Sequence, residues 1–275
     1  MKKAMQLKAR IKNLASASNI PAQAVLQNYM LERLLERIAL SRHADRFILK
    51  GGLLIASLVG IDSRTTMDMD ATVMGFPLSE DALGTALAEI CSVVLDDEVT
   101  LTLAGVAPIR DDDEYGGFRV SLSARYETIN TPLKIDITTG DVITPRPVRH
   151  TFRSSFDDTV IEVWAYNVET ILAEKVETIL RRSVLNTRPR DFYDVHILTT
   201  TQRDRLDPAV FRKALQATAQ KRLSLAQVAE HEAILATIEA DAAMRQRWER
   251  YARDNYYARG LSFDDAVRAA RDVLK

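Results

Sequence analysis

The chain has 275 residues, 47% hydrophobic and 27% charged, an ordinary globular composition that can fill one large domain or two modest ones. A net charge of −1 argues against a protein that coats nucleic acid without specificity, while leaving room for a local basic groove. A single cysteine, Cys91, no apolar run near the ~20 residues of a membrane span, and Lys8, Arg10 and Lys12 breaking up any signal-peptide core point to a cytoplasmic chain without disulfides.

In chain order, residues 4–41 read as two helices broken near Pro21. The second carries Leu31, Leu34, Leu35 and Ile38 on one amphipathic face. Phe47–Leu49 is a short strand ended by Gly51-Gly52, and a small-residue helix then runs to about Val59. Strand-like alternation follows over Met67–Phe76, Val99–Val106, Phe118–Tyr126 and Leu133–Thr138, with a helix over Glu80–Val94. Asp111-Asp112-Asp113-Glu114 followed by Gly116-Gly117 reads as an exposed hairpin loop rather than a metal site. Beyond Tyr166 the pattern is helical, over Val168–Arg182, Pro189–Thr199, Pro208–Lys221, Leu225–Ile238, Ala242–Asn255 and Phe263–Leu274. Helices before and after a mixed or antiparallel sheet define an α+β arrangement. The expected division is 1–165 and 166–275, although no linker marks it.

The alternation from Met67 carries the chemistry. On a strand, Asp68, Asp70 and Thr72 face one way and Met67, Met69, Ala71 and Val73 the other, so the two carboxylates lie roughly 7 Å apart. Like charges held that close call for a cation, and Mg²⁺ suits hard oxygen ligands that share it with substrate phosphates. Asp136 alternates with Leu133, Ile135 and Ile137 in the same manner. If its strand neighbours that of Asp70, three aspartates converge as two-metal phosphoryl chemistry requires. The plainer alternative is two strands whose solvent faces happen to bear aspartates. Upstream, Lys50-Gly51-Gly52 is either a tight strand-to-helix turn or a backbone cradle for phosphate at a helix N-terminus.

The helix over Val168–Arg182 places Lys175 inside the apolar arc of Val168, Ile171, Leu172, Val176 and Ile179. A lysine there must snorkel, lose its proton or meet an anion, whether an NTP phosphate or a structural carboxylate. Asp191 falls in the first turn after Pro189. It shares a face with Asp194, Val195 and Leu198, so one of the two needs a buried partner: Arg190, Arg188 or Lys175. Arg181, Arg182, Arg188 and Arg190 cluster around Asn186, either as a solvated helix end or as an RNA contact. His43, His150, His196 and His231 lack metal-ligand spacing, and Cys91, in an apolar helix, reads as packed rather than catalytic.

Taken in order, these blocks resemble the AbiEii-type toxins, nucleotidyltransferases of abortive-infection and type IV toxin–antitoxin systems that include the MenT-like toxins. The matching stretches are Leu31–Leu34, Phe47–Gly52, Arg64–Asp70, Lys134–Asp136, Ala173–Lys175 and Arg188–Asp194. The resemblance implies a polymerase-β-like nucleotidyltransferase core with a helical C-terminal domain. It implies Mg²⁺ (or Mn²⁺) on Asp68, Asp70 and Asp136, and NTP as substrate at Lys50, Gly51, Gly52, Thr66, Lys134 and Arg190. It makes Asp136 the base, gives Lys175 a phosphate contact, makes Lys175 and Asp191 essential, and puts Thr66 near a hydroxyl phosphorylated in some relatives. It implies transfer to RNA, at the tRNA 3′ end, as a block to translation and a phage defence. The implied partner is an antitoxin, a winged-helix AbiEi-like protein encoded nearby. RNA contacts would fall to Arg181, Arg182 and Arg188. Two departures stand out: Arg190 occupies a position commonly lysine in the family, and the gap from Gly52 to Asp68 exceeds the minimal nucleotidyltransferase pattern. A protein or small-molecule acceptor, or a non-catalytic NTP-binding module, are the competing readings.

Overall fold

The helix predicted around Leu31 is the organiser of the first half. The computed structural model describes residues 2–109 and 116–275, so the acidic run Asp111–Glu114 lies outside the described residues. Helices α1 (Lys2–Ser18) and α2 (Ala22–Leu40) flank Pro21, as the sequence predicts. Burial extends almost all round α2 and takes in Glu32, Arg33 and Arg37. Buried charges persist only when bonded, and two of these have clear partners. Arg37 forms a two-pronged pair with Asp97 at 2.6 and 2.8 Å. Glu32 accepts from the Ser154 hydroxyl at 2.8 Å and the Ser155 amide at 3.1 Å.

The chain then alternates through β1 (Phe47–Lys50), α3 (Gly51–Val59), β2 (Met69–Val73), α4 (Glu80–Cys91), β3 (Val99–Pro108), β4 (Phe118–Tyr126), β5 (Ile129–Thr139), β6 (Val148–Arg153) and β7 (Val160–Ala165). The seven strands form one mixed sheet in the order β3-β4-β5-β2-β1-β7-β6. The β2–β5 and β1–β7 pairs are parallel and the other pairs antiparallel. Val120, Leu122, Leu133, Ile135, Ile137 and Met69 point into the core, while Lys134 and Arg119 on the opposite face stay open to solvent. This one-sided burial is why those strands read as alternating.

The sheet is larger than predicted. Strands β6 and β7 add to the predicted sheet: β6 buries Phe152 alone, and β7 is a six-residue strand with Ile161, Val163 and Ala165 inward. β2 is shorter than predicted, starting at Met69 with a bend at Met67 and Asp68.

A first compact unit holds residues 1–141 and 148–165, and a second holds 142–147 and 166–275. The second unit is helical: α5 (Val168–Arg182), α6 (Pro189–Thr201), α7 (Pro208–Lys221), α8 (Leu225–Ala229), α9 (His231–Ala240), α10 (Ala242–Asp254) and α11 (Phe263–Val273). Segment 142–147 joins it because Asn167, the N-cap of α5, donates to the Thr144 carbonyl at 2.7 Å, and the Thr144 amide donates to Thr170 at 3.1 Å. Helix α5 is the hub, with Glu177 fully buried between Arg181 at 2.9 Å, Arg222 at 2.7 Å and Ser224 at 2.7 Å. The single helix predicted over Leu225–Ile238 is two, parted at Glu230, whose ψ of 17° leaves the helical range; neither glycine nor proline announces that break.

Candidate active site

Strand register gathers the predicted carboxylates. Asp70 on β2 stands opposite Lys50 on β1 and Asp136 on β5, and Asp136 stands opposite Arg119 on β4. In-register residues point to the same face of a sheet. Four neighbouring strands therefore present one row, Lys50–Asp70–Asp136–Arg119, with a cation at each end and two carboxylates between.

The glycine turn between β1 and α3 is shaped around Asp70. Gly51 has φ +63°, and a Cβ built on it would lie 2.0 Å from Asp70 Oδ2. The Gly52 amide donates to that same oxygen at 3.2 Å, placing the carboxylate at the positive end of α3. A Cβ on Gly52 would come within 2.7 Å of Thr66 Oγ1. Thr66 is buried, and its hydroxyl donates to the Asp68 carbonyl at 3.1 Å, so it shapes the bend that carries Asp68. Lys50 reaches along the sheet to Thr138 at 2.7 Å and Asp141 at 2.5 Å.

Asp68 lies one residue before β2 rather than within it. Partial burial raises its pKa above the usual carboxylate range; Lys134 opposes that shift, and the charges of Asp136 and Asp70 add to it. An anion at Asp68 is thus disfavoured beside two further carboxylates, a setting that fits a divalent cation, and carboxylate oxygens are the donors Mg²⁺ and Mn²⁺ take. Both oxygens of Asp136 are held by Arg119, at 2.8 Å from Nε and 2.7 Å from Nη2. Among the described residues no three His, Cys, Asp or Glu side chains gather closely enough to hold a metal ion.

Three residues near the row escaped the sequence reading as site residues. Arg119 was legible only as one of the outward residues of β4. Asp141 follows the end of β5 with no pattern around it. Arg64 is almost wholly buried, with its Nη2 3.5 Å from where a Gly52 Cβ would sit; an arginine in a loop gives no sign of burial.

The other predicted residues lie in the second unit. Lys175 meets Asp191 at 2.7 Å and Asp194 at 3.1 Å. Its place on the apolar arc is thus explained by two buried carboxylates, and Lys175 is the partner that Asp191 and Asp194 require. Asp191 Oδ2 is buried without a hydrogen-bond partner among the described residues. Arg181 is turned onto Glu177, while Arg188 and Arg190 are exposed and Arg182 ends α5. Burial pushes the Cys91 thiol up to about 11, so it stays protonated and unreactive at neutral pH.

An Asp-x-Asp at the start of one strand, a third carboxylate in register on the next and a glycine turn closing on the first strand define the class, a nucleotidyltransferase. A sequence model described as "Nucleotidyl transferase AbiEii toxin, Type IV TA system" matches residues 33–269. The chain belongs to that family, and a type IV toxin–antitoxin system implies a cognate antitoxin. Comparison with curated protein sequences gives no match. Among solved structures, the chain is similar to a crystal structure from H. pylori ascribed to a nucleotidyltransferase, at 14% identity and TM-score 0.48, covering 93% of this chain and 96% of that one. It is similar to JHP933 from Helicobacter pylori at 16% identity and TM-score 0.47, with 92% of each chain covered. A third likeness is to an antigenic nucleotidyltransferase-like protein from Paracoccidioides brasiliensis, at 15% identity and TM-score 0.39, covering 71% of this chain and 91% of that one. Among the described residues no helix is long and apolar enough to cross a membrane.

Proposed function

We propose that this toxin transfers a nucleoside monophosphate from an NTP to RNA, at the 3′ end of tRNA, and so blocks translation in the cytoplasm as a phage defence. The observation that carries the reading is the register that sets Asp70 beside Asp136, with Asp68 two residues upstream. Asp68 and Asp70 would hold Mg²⁺, with Mn²⁺ able to substitute and Asp136 as the third ligand; the ion would neutralise phosphate charge and favour ionisation of the acceptor hydroxyl. In the transfer, the acceptor oxygen bonds to the α-phosphorus while the bond to the β-bridging oxygen breaks. The hydroxyl proton passes to Asp136, and pyrophosphate leaves.

Residues 1–165 form the nucleotidyltransferase domain in this reading. Gly51 and Gly52 let Asp70 close on the N-terminus of α3, where the triphosphate would be met, and Lys50, Thr66 and Lys134 would line the nucleotide's path. Within 166–275, Lys175 and Arg190 would contact phosphate, Asp191 is an essential residue beside Lys175, and Arg181, Arg182 and Arg188 would contact RNA. A winged-helix AbiEi-like protein is the proposed antitoxin.

Incubating the protein with total tRNA, Mg²⁺ and each α-labelled NTP in turn tests the acceptor. Label should enter tRNA, and binding should weaken as salt rises, since phosphate contacts dominate such affinities. Label on protein, or on no RNA with any NTP, would remove RNA as the acceptor.

A further inference from the structure

The third carboxylate is occupied by a neighbour. Arg119 engages Asp136 through both Nε and Nη2, at 2.8 and 2.7 Å, so one lone pair on each oxygen is taken and the guanidinium competes with a metal ion or a proton for the carboxylate. We infer that Arg119 is a latch on Asp136: it holds that carboxylate before the nucleotide arrives, then exchanges it for the NTP triphosphate and frees it. The inference rests on the reading of Asp68, Asp70 and Asp136 as an NTP–metal centre.

Three features make this pair exchangeable. The guanidinium is half exposed and its carboxylate partner about a quarter exposed, so water competes and the bond is worth little to the fold. A triphosphate offers the same fork-shaped acceptor at higher charge, a geometry arginine matches with two hydrogen bonds. The guanidinium also has somewhere to go. On β3 its register partner is Ala107, and two residues along, just before a register shift, stands Gly105, where an added Cβ would meet nothing within 4 Å. These small residues, with Pro108, Ile109 and Ser121, border a cavity of about 490 Å³ that includes Arg119 in its wall.

Lys50, at the other end of the row, provides the contrast. Its ammonium and its partner Asp141 are both mostly buried, which marks a fixed contact. Arg119 is therefore a positioning residue whose release couples nucleotide arrival to the availability of Asp136.

The test is Mn²⁺ binding without nucleotide, followed by electron paramagnetic resonance of the free ion. Arg119→Ala should tighten Mn²⁺ binding on the order of tenfold, opposite in sign to the loss usual when a neighbour that supports a ligand is removed, because this neighbour competes for it. In an Asp136→Asn background the same substitution should change little, since the latch then has nothing to hold. Arg119→Lys, which keeps the charge and loses the fork, should fall between. Binding of a fluorescent NTP should weaken in Arg119→Ala. Unchanged Mn²⁺ affinity, or equal tightening with and without Asp136, would overturn the latch. Failure of the underlying reading would look different: wild-type protein and Asp68→Ala would bind Mn²⁺ equally poorly, whatever stands at position 119.

Discussion

Lys175→Met is expected to destabilise the helical unit by about 3–5 kcal/mol, the cost of leaving buried carboxylates without their cation. The substitution keeps the length and apolar stem of the side chain and removes only the ammonium. Asp191 is 5% exposed and Asp194 fully buried, and the Lys175 ammonium lies 2.7 Å from the first and 3.1 Å from the second. Urea denaturation of the full chain measures the effect, and an unchanged midpoint would show that the pairing does not hold α5 to α6. Lys175→Met combined with Asp191→Asn and Asp194→Asn should recover most of the loss, because the uncompensated charges are then gone. Transfer by this triple variant separates two roles. Recovered stability without recovered activity assigns Lys175 or Asp191 to the chemistry, whereas recovery of both makes the trio purely structural.

Gly51→Ala is expected to lower transfer on the order of 10²-fold or more while the fold survives. Two costs act together. The left-handed backbone at φ +63° penalises any L side chain by roughly 1–2 kcal/mol. The new methyl would also fall 2.0 Å from Asp70 Oδ2, so Asp70 must rotate and give up the Gly52 amide. Displacing one charge-bearing group of a reacting centre costs about 10²–10³ in rate. Circular dichroism and thermal unfolding should show a modest shift beside the kinetic loss. Wild-type rates in Gly51→Ala would mean that Asp70 need not sit where the turn places it.

The structure explains which parts of this molecule could be read from the sequence. Asp70 and Asp136 were legible because they alternate with the buried Met69, Ala71, Ile135 and Ile137, whereas Asp68, expected on the same strand, stands in the bend before it. The order β5-β2 is a long-range fact that alternation could only make conditional. Arg119 was hidden for the same reason, since its role depends on standing opposite Asp136 across β4 and β5. Lys175 was flagged by its helix face, yet periodicity names a face and not a neighbour, so phosphate and carboxylate stayed open until Asp191 and Asp194 were placed beside it. Gly51-Gly52 invited a phosphate reading, while the geometry shows the turn first making room for Asp70. β6 buries Phe152 alone and sets no period, while β7 does alternate, with Ile161, Val163 and Ala165 inward, over a stretch of only six residues.

The central claim is that the carboxylate row performs metal-dependent nucleotidyl transfer, and Asp68 tests it most directly. Its side chain makes no hydrogen bond that the fold depends on among the described residues, so Asp68→Ala should leave stability nearly intact. With α-labelled NTP, Mg²⁺ and total tRNA, wild-type protein should move label into RNA and release pyrophosphate. Asp68→Ala should do so on the order of 10³-fold more slowly. Equal transfer by the two proteins at matched folded concentration would contradict the account.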